Sequence, residues 1–210
     1  MGVPPRSLIT AVVASWLSLC ALGMWQIADH ATTAGSVGSV PEALPIGVAK
    51  QLNWSGECNL LLLAAHPQCP CLPASLDELG AVFETAENTT LRILVFEPKN
   101  TPKSWDPTAS DTLFRGLPEG TVIRDRDGQL AEQLGARTSG HISLYDTGGL
   151  LQFAGGITGS RGHRGDNDNR QALTVALRQA KARGNRATTY SPTRTAVFGC
   201  PLDTPCDCNQ

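Results

Sequence analysis

Apolar positions along this chain change their spacing several times, and each spacing predicts a different element. Ser7 to Ala28 carries no charge and is apolar on all sides, with Leu8, Ile9, Val12, Val13, Trp16, Leu17, Leu19, Leu22, Trp25 and Ile27. As a helix it would cover roughly 33 Å, enough for the hydrocarbon of a bilayer. From Asp29 to about Asn53 the chain is rich in Ala, Thr, Gly, Ser, Val and Pro without a sustained period, which predicts a flexible spacer. Asn59 to Ala65 is a short unbroken apolar run, the pattern of a strand covered on both faces of a parallel sheet. Leu76, Leu79, Val82, Phe83 and Ala86 then recur at helical spacing, with Pro73 suited to a first turn and Ser75-Leu76-Asp77-Glu78 offering a capping box.

A second strand is predicted at Leu91–Phe96, ended by Glu97-Pro98. Strand, helix and strand in this order imply a right-handed crossover and parallel pairing. Residues 99–118 are polar and broken by proline, with a short helix at Asp111–Leu117. Thr121–Ile123 reads as a third strand closed by Asp127-Gly128, and Gln129–Leu134 as a short helix closed by Gly135. His141–Asp146 and Leu150–Ala154, separated by Thr147-Gly148-Gly149, form a hairpin. A last amphipathic helix spans Asn169–Arg183, with Gly184 as its stop. The reading is an α/β fold with a central mixed sheet flanked by helices and one N-terminal transmembrane helix. It divides into an anchor (1–28), a spacer (29–53), a folded domain (54–184) and a cysteine-containing tail (185–210).

Seventeen basic against 19 acidic residues give a net charge of −2, which removes the electrostatic case for nucleic acid. Arg6 before the apolar stretch and Asp29 after it favour a cytoplasmic N-terminus and an exported remainder. A cleaved signal peptide, with Ala21-Leu22-Gly23 as its small-residue site, is the competing reading. Cys20 lies inside the apolar stretch as a small filler, and Cys58, Cys69, Cys71, Cys200, Cys206 and Cys208 follow it. That is an even exported count, too small for a disulfide-built scaffold and compatible with redox chemistry.

The chemistry concentrates in His66-Pro67-Gln68-Cys69-Pro70-Cys71, where two thiols one residue apart meet the end of a strand and the start of a helix. Unpaired N–H groups at a helix N-terminus favour thiolate, so Cys69 reads as an exposed attacking sulfur. A Cys-x-Cys disulfide closes a smaller ring than Cys-x-x-Cys, and Pro70 stiffens it; strained disulfides are the more oxidising ones. If the hairpin's first strand runs antiparallel to the thiol strand, His141 and the Ser160–Asn167 loop arrive on the thiol side. His66, His141, Arg161, His163 and Arg164 would then surround the sulfurs and lower their pKa. Each residue also has a structural alternative: Cys58 in the core or paired with the tail, Cys200, Cys206 and Cys208 pinning the tail, His66 capping the strand end, and the glycine- and charge-rich loop satisfying itself.

The order of elements, with thiols after the first strand, resembles the thioredoxin fold over Trp54–Arg183. Three strings, Thr138-Ser139-Gly140-His141, Gly156–Asn167 and Val197-Phe198-Gly199-Cys200-Pro201-Leu202, resemble membrane-anchored thioredoxin-like proteins of Gram-negative bacteria, some labelled RedB. That resemblance implies a single-pass inner-membrane protein with a periplasmic C-terminal domain. It departs from ordinary thioredoxins in having only Pro70 between the cysteines. It also places Gly140 where thioredoxins carry a cis-proline, and glycine lets the backbone turn without locking a cis bond. Within the resemblance, Cys200 of the tail string is the best distant partner for Cys69.

Three functions fit. In the first, a membrane-anchored thiol–disulfide oxidoreductase acts on periplasmic protein thiols or disulfides without a cofactor, Cys69 exchanging and Cys71 or Cys200 resolving. In the second, Cys69 and Cys71 with His66 or His141 bind and deliver copper(I), Cys206 and Cys208 adding a second soft pair. In the third, a non-enzymatic redox sensor changes its tail with disulfide state.

Overall fold

The apolar run at Ser7–Ala28 forms the core of helix α1, Arg6–Thr32, in a computed structural model that describes residues 5–84, 86–100, 105–106, 108–115, 117–118, 120–183 and 191–202. None of its side chains is buried against the rest of the protein, and its large apolar residues, Trp16 and Trp25 among them, face outward all round. A helix with no polar stripe and no packed face has the character of a membrane span. It is the one described helix long and apolar enough to cross a bilayer.

The sheet is built outward from β1, Asn59–Ala65, all seven of whose residues are buried. β2 (Thr89–Glu97) pairs parallel with β1, and β3 (Val122–Arg126) parallel with β2. On the other side β4 (His141–Tyr145) lies antiparallel to β1, and β5 (Leu151–Gly155) antiparallel to β4. A two-residue edge strand, β6 (Thr193–Arg194), closes the order β3-β2-β1-β4-β5-β6. The odd-numbered side chains of β1, Leu61, Leu63 and Ala65, pack with Ile142 and Leu144 against α3 (Leu72–Phe83) and α6 (Asp168–Arg183), through Leu72, Leu79, Val82, Leu173 and Ala176. The even-numbered face needs its own cover, because a strand this apolar cannot leave one side in water.

That cover comes from the segment expected to be a spacer. Val40, Leu44, Val48 and Leu52 are buried against Leu60, Leu62, Leu94 and Tyr145, around the short helix α2 (Ile46–Gln51). Val37 bridges Ala136, Ala43 bridges Leu150, and α1 itself runs on through Asp29–Thr32. Residues 33–53 therefore belong to the folded domain. The tail differs from expectation in the same way: β6 and the bridge from Pro201 to Thr138 bind it to the sheet and to the loop before β4.

Two short helices, α4 (Ala109–Leu113) and α5 (Gln129–Gln133), fill the connections. The predicted capping box is absent. Helix α3 starts earlier, at Leu72, with Cys71 at its N-cap position and Pro73 in its first turn, which leaves Ser75 and Glu78 buried inside the helix. Glu78 accepts the Gly165 N–H at 2.5 Å and pairs with Arg170 at 2.8 Å, tying α3 to the loop before α6.

Candidate active site

Strand β1 ends at Ala65 and the chain turns at once. The Cys69 N–H donates to the His66 carbonyl at 2.9 Å and the Leu72 N–H to the Cys69 carbonyl at 3.1 Å, so Cys69 sits in the turn that feeds α3. The antiparallel partner arrives where the register predicts: Ala64 faces His141, and the Gly140 N–H donates to the Ala64 carbonyl at 2.8 Å. Gly140 has φ +90°, a conformation that favours glycine. Its turn presents Ser139, whose hydroxyl accepts the His66 N–H at 3.0 Å and hydrogen-bonds the Cys69 sulfur.

The tail completes the shell. The Ser139 N–H donates to the Cys200 carbonyl at 2.8 Å, and the Leu202 N–H to the Arg137 carbonyl at 3.0 Å. This short ladder places the Cys200 N–H 3.4 Å from the Cys69 sulfur. Hydrogen bonding to the Cys200 thiol is the main reason that the Cys69 pKa is held down to about 6, against the opposing effect of burial; the N–H groups of Cys200 and Cys71 and the Ser139 hydroxyl add to it. The thiolate is therefore set chiefly by the tail, with the helix start contributing through Cys71. Cys69 is only 2 % exposed, which corrects the expectation of an open attacking thiol; Cys71 and Cys200 are half-buried and Pro70 is exposed.

A cysteine turn thus joins the central strand β1 to α3, inside a parallel β1-α3-β2 unit. The antiparallel β4–β5 hairpin sits beside it, and α6 covers the same face as α3. This order and pairing of elements is a thioredoxin-like fold. No family model matches the chain, and no curated protein matches it. Among solved structures it is similar to a hypothetical protein from Sinorhizobium meliloti at 16% identity and TM-score 0.50, over 83% of this chain and 96% of that one. It is also similar to an uncharacterized conserved protein from Geobacillus kaustophilus, at 12% identity and TM-score 0.51 over 84% and 92% of the two chains. A thioredoxin-like protein from Aeropyrum pernix matches at 14% identity and TM-score 0.40, over 79% and 98%.

Within this thioredoxin-like frame the cationic ring expected around the sulfurs is not assembled. His141 pairs with Ala64, while its neighbours Ile142 and Leu144 face α3 and α6, so by strand alternation His141 lies on the opposite side of the sheet. His66 is buried, stacked on Phe96 at 5.3 Å and edge-on to Trp105 at 5.5 Å, and its Nδ1 accepts the Gln68 N–H at 3.2 Å. His163 and Arg164 are exposed, Arg164 pairing with Asp77 at 2.6 Å. Arg161 binds the end of α1 and the Gly199 carbonyl. With His141 on the far face, the copper set Cys69, Cys71, His66 and His141 is not brought together, and among the described residues no group of three or more His, Cys, Asp or Glu could hold a metal. Cys58 lies at the other end of β1; Cys206 and Cys208 lie outside the described residues. The sequence reading gave Ser139 no role, although its place just before Gly140 in a loop matched to the thioredoxin active-site loop was a signal.

His141 carries a separate consequence. Neither ring nitrogen has a hydrogen-bond partner among the described residues, and burial, aided by Arg194, pushes its pKa down to about 4 from an ordinary 6.5. Below pH 6.5 the unfolded chain takes up a proton that the folded chain refuses. Stability is therefore lost as pH falls from there through about 4, by about 3 kcal/mol in all. His141→Leu is expected to flatten that part of the acid profile relative to wild type, as read by urea denaturation at neutral and at acid pH.

Proposed function

We propose that this chain is a membrane-anchored, periplasmic thiol–disulfide oxidoreductase in which Cys69 and Cys200 are the exchanging pair. The observation that carries the reading is the Cys200 N–H 3.4 Å from the Cys69 sulfur, together with a Cys69 pKa of about 6. At neutral pH Cys69 is then mostly thiolate, and it attacks a partner disulfide once the Cys200 segment that covers it parts. One sulfur of that disulfide forms a mixed disulfide with Cys69, and the other leaves as thiolate and takes up a proton. The Cys200 thiolate, its proton lost to solvent, next attacks the Cys69 sulfur and expels the bound partner thiolate. A Cys69–Cys200 disulfide and a reduced partner result. The reverse sequence oxidises a dithiol. In that direction a partner thiolate attacks the Cys69 sulfur and expels the Cys200 thiolate, and the partner's second thiolate then displaces Cys69, whose low pKa makes it a good leaving group.

The low pKa also sets the poise. Relative to an ordinary thiol, ionised Cys69 stabilises the reduced form at pH 7, which moves the couple toward the oxidising side. In this reading Cys71 acts through its backbone N–H, no organic cofactor is needed, and the partners are periplasmic protein thiols or disulfides. The flanking charges of α1, and the resemblance of the tail and loop strings to RedB-like proteins, support a single inner-membrane span with the domain outside the cytoplasm. Disulfide mapping by mass spectrometry on the membrane-extracted chain, before and after mild reduction, tests the pairing. A reducible Cys69–Cys200 link is expected; a Cys69–Cys71 link, or none involving Cys69, would overturn it.

A further inference from the structure

The residues that leave α1 bind the same loops that hold the Cys69 sulfur. The Arg161 N–H donates to the Ala31 carbonyl at 2.9 Å, and its guanidinium reaches the His30 carbonyl at 3.0 Å, the Thr33 carbonyl at 3.5 Å and the Gly199 carbonyl. The last carbonyls of a helix have no partner within it, so Arg161 both caps α1, with a charge of the favourable sign, and grips the residue before Cys200. The connection continues without slack. The Gly35 N–H donates to the Val197 carbonyl at 2.8 Å, the Thr138 hydroxyl to the Ser36 carbonyl at 2.7 Å, and the Gly38 N–H to the Gly135 carbonyl at 2.8 Å. Ser139, which hydrogen-bonds the Cys69 sulfur, follows Thr138 directly.

Depth follows from helix geometry. If Ser7–Ala28 fills the hydrocarbon, Ala31 stands about 4.5 Å beyond it, inside a headgroup layer roughly 5–7 Å thick. Arg161 is hydrogen-bonded to Ala31 and to Gly199, so the segment that carries Cys200 starts at headgroup level.

We propose that the Cys69–Cys200 pair is fixed at the membrane surface rather than carried on a tether, and that its partner is a cysteine pair of an integral membrane protein lying at the same depth. This rests on the exchange reading above and on α1 as a retained span. A rigid site at one height raises the effective concentration for sulfurs at that height and lowers it for sulfurs held farther out.

The test uses the full chain in nanodiscs with single-span peptides that carry a glutathione mixed disulfide. In one peptide the disulfide lies just outside the hydrocarbon, and in the other it follows a rigid helical extension of about 30 Å; a soluble peptide disulfide serves as reference. The expected result is exchange with the interfacial probe at least about tenfold faster than with the extended one. Inserting about 12 Gly/Ser residues between Ala28 and Asp29 leaves on the domain side the residues bonded to Arg161, Val197, Thr138 and Gly135, and adds a root-mean-square reach of roughly 20 Å. That insertion should bring the ratio close to one without changing the soluble rate. A ratio near one in the wild type, or one that the insertion leaves unchanged, would overturn the proposal. Absence of exchange with all three probes would instead overturn the oxidoreductase reading, and this inference with it.

Discussion

Cys200→Ala is expected to raise the Cys69 thiol from about 6 toward the ordinary thiol range and to abolish the internal disulfide, leaving any mixed disulfide on Cys69 unresolved. The thiol of Cys200 is the strongest hydrogen-bonding influence on Cys69, and its removal leaves only the backbone N–H groups and Ser139 to stabilise the charge. Cys200→Ser separates two roles. A hydroxyl still donates to the Cys69 sulfur, so the thiolate should persist, but it cannot resolve a mixed disulfide, so the adduct with a partner should accumulate. Cys69→Ala should abolish exchange outright. Cys71→Ala keeps the backbone N–H that contributes to the site, so its exchange rate should stay within about tenfold of wild type. The pH dependence of alkylation reports the thiolate, and acid-quenched mass spectrometry reports the adducts. If Cys71→Ala proves as inactive as Cys69→Ala while Cys200→Ala is active, the vicinal pair is the redox couple and the tail is structural.

The fold was legible because its strands are local patterns. Asn59–Ala65 is apolar without interruption, and the hairpin alternates about a glycine turn, so β1, β4 and β5 lie within a residue or so of expectation. The site was only half legible. Cys69 follows from its place between strand and helix, whereas Cys200 lies 131 residues away, and only a tail string suggested it. What sets its distance is the ladder between residues 137–139 and 200–202, a contact that no local period announces. Two errors had signals that could have prevented them. Ile142 and Leu144 were plainly core residues, so alternation already put His141 on the other face. Val40, Leu44, Val48 and Leu52 recur every fourth residue through a stretch whose composition read as a spacer, and the even face of β1 needed a cover. The false capping box has a plainer cause. Ser-x-x-Glu is a short motif, and the start of α3 is fixed upstream by the turn at Cys69 and by Pro73 in the first turn, which makes Ser75 and Glu78 interior residues.

Gly199→Ala is expected to detach the tail from the thiol without unfolding the domain. A Cβ at this position would run into the Ser139 carbonyl oxygen and stand 3.0 Å from its carbonyl carbon, a backbone contact that no side-chain rotation relieves. Either the 199–201 segment or the Ser139 loop must give way, and the tail, an edge segment held beyond β6 by this ladder and by single bonds from Gly35 and Arg161, is the weaker side. The bond from the Ser139 N–H to the Cys200 carbonyl then lengthens and the Cys200 thiol withdraws from Cys69. The Cys69 pKa should rise clearly above 6, and closure of the internal disulfide should slow about tenfold or more. The core of β1, α3 and α6 is untouched, so the stability loss should stay within about 1–3 kcal/mol. Gly80→Ala is the matched control: Gly80 lies in α3 with nothing within 4 Å of its added Cβ, and neither the thiol nor the closure rate should change. Thiolate titration and reoxidation kinetics on the two variants decide between these outcomes. An unshifted Cys69 in Gly199→Ala would mean that the tail does not set the reactivity of this site.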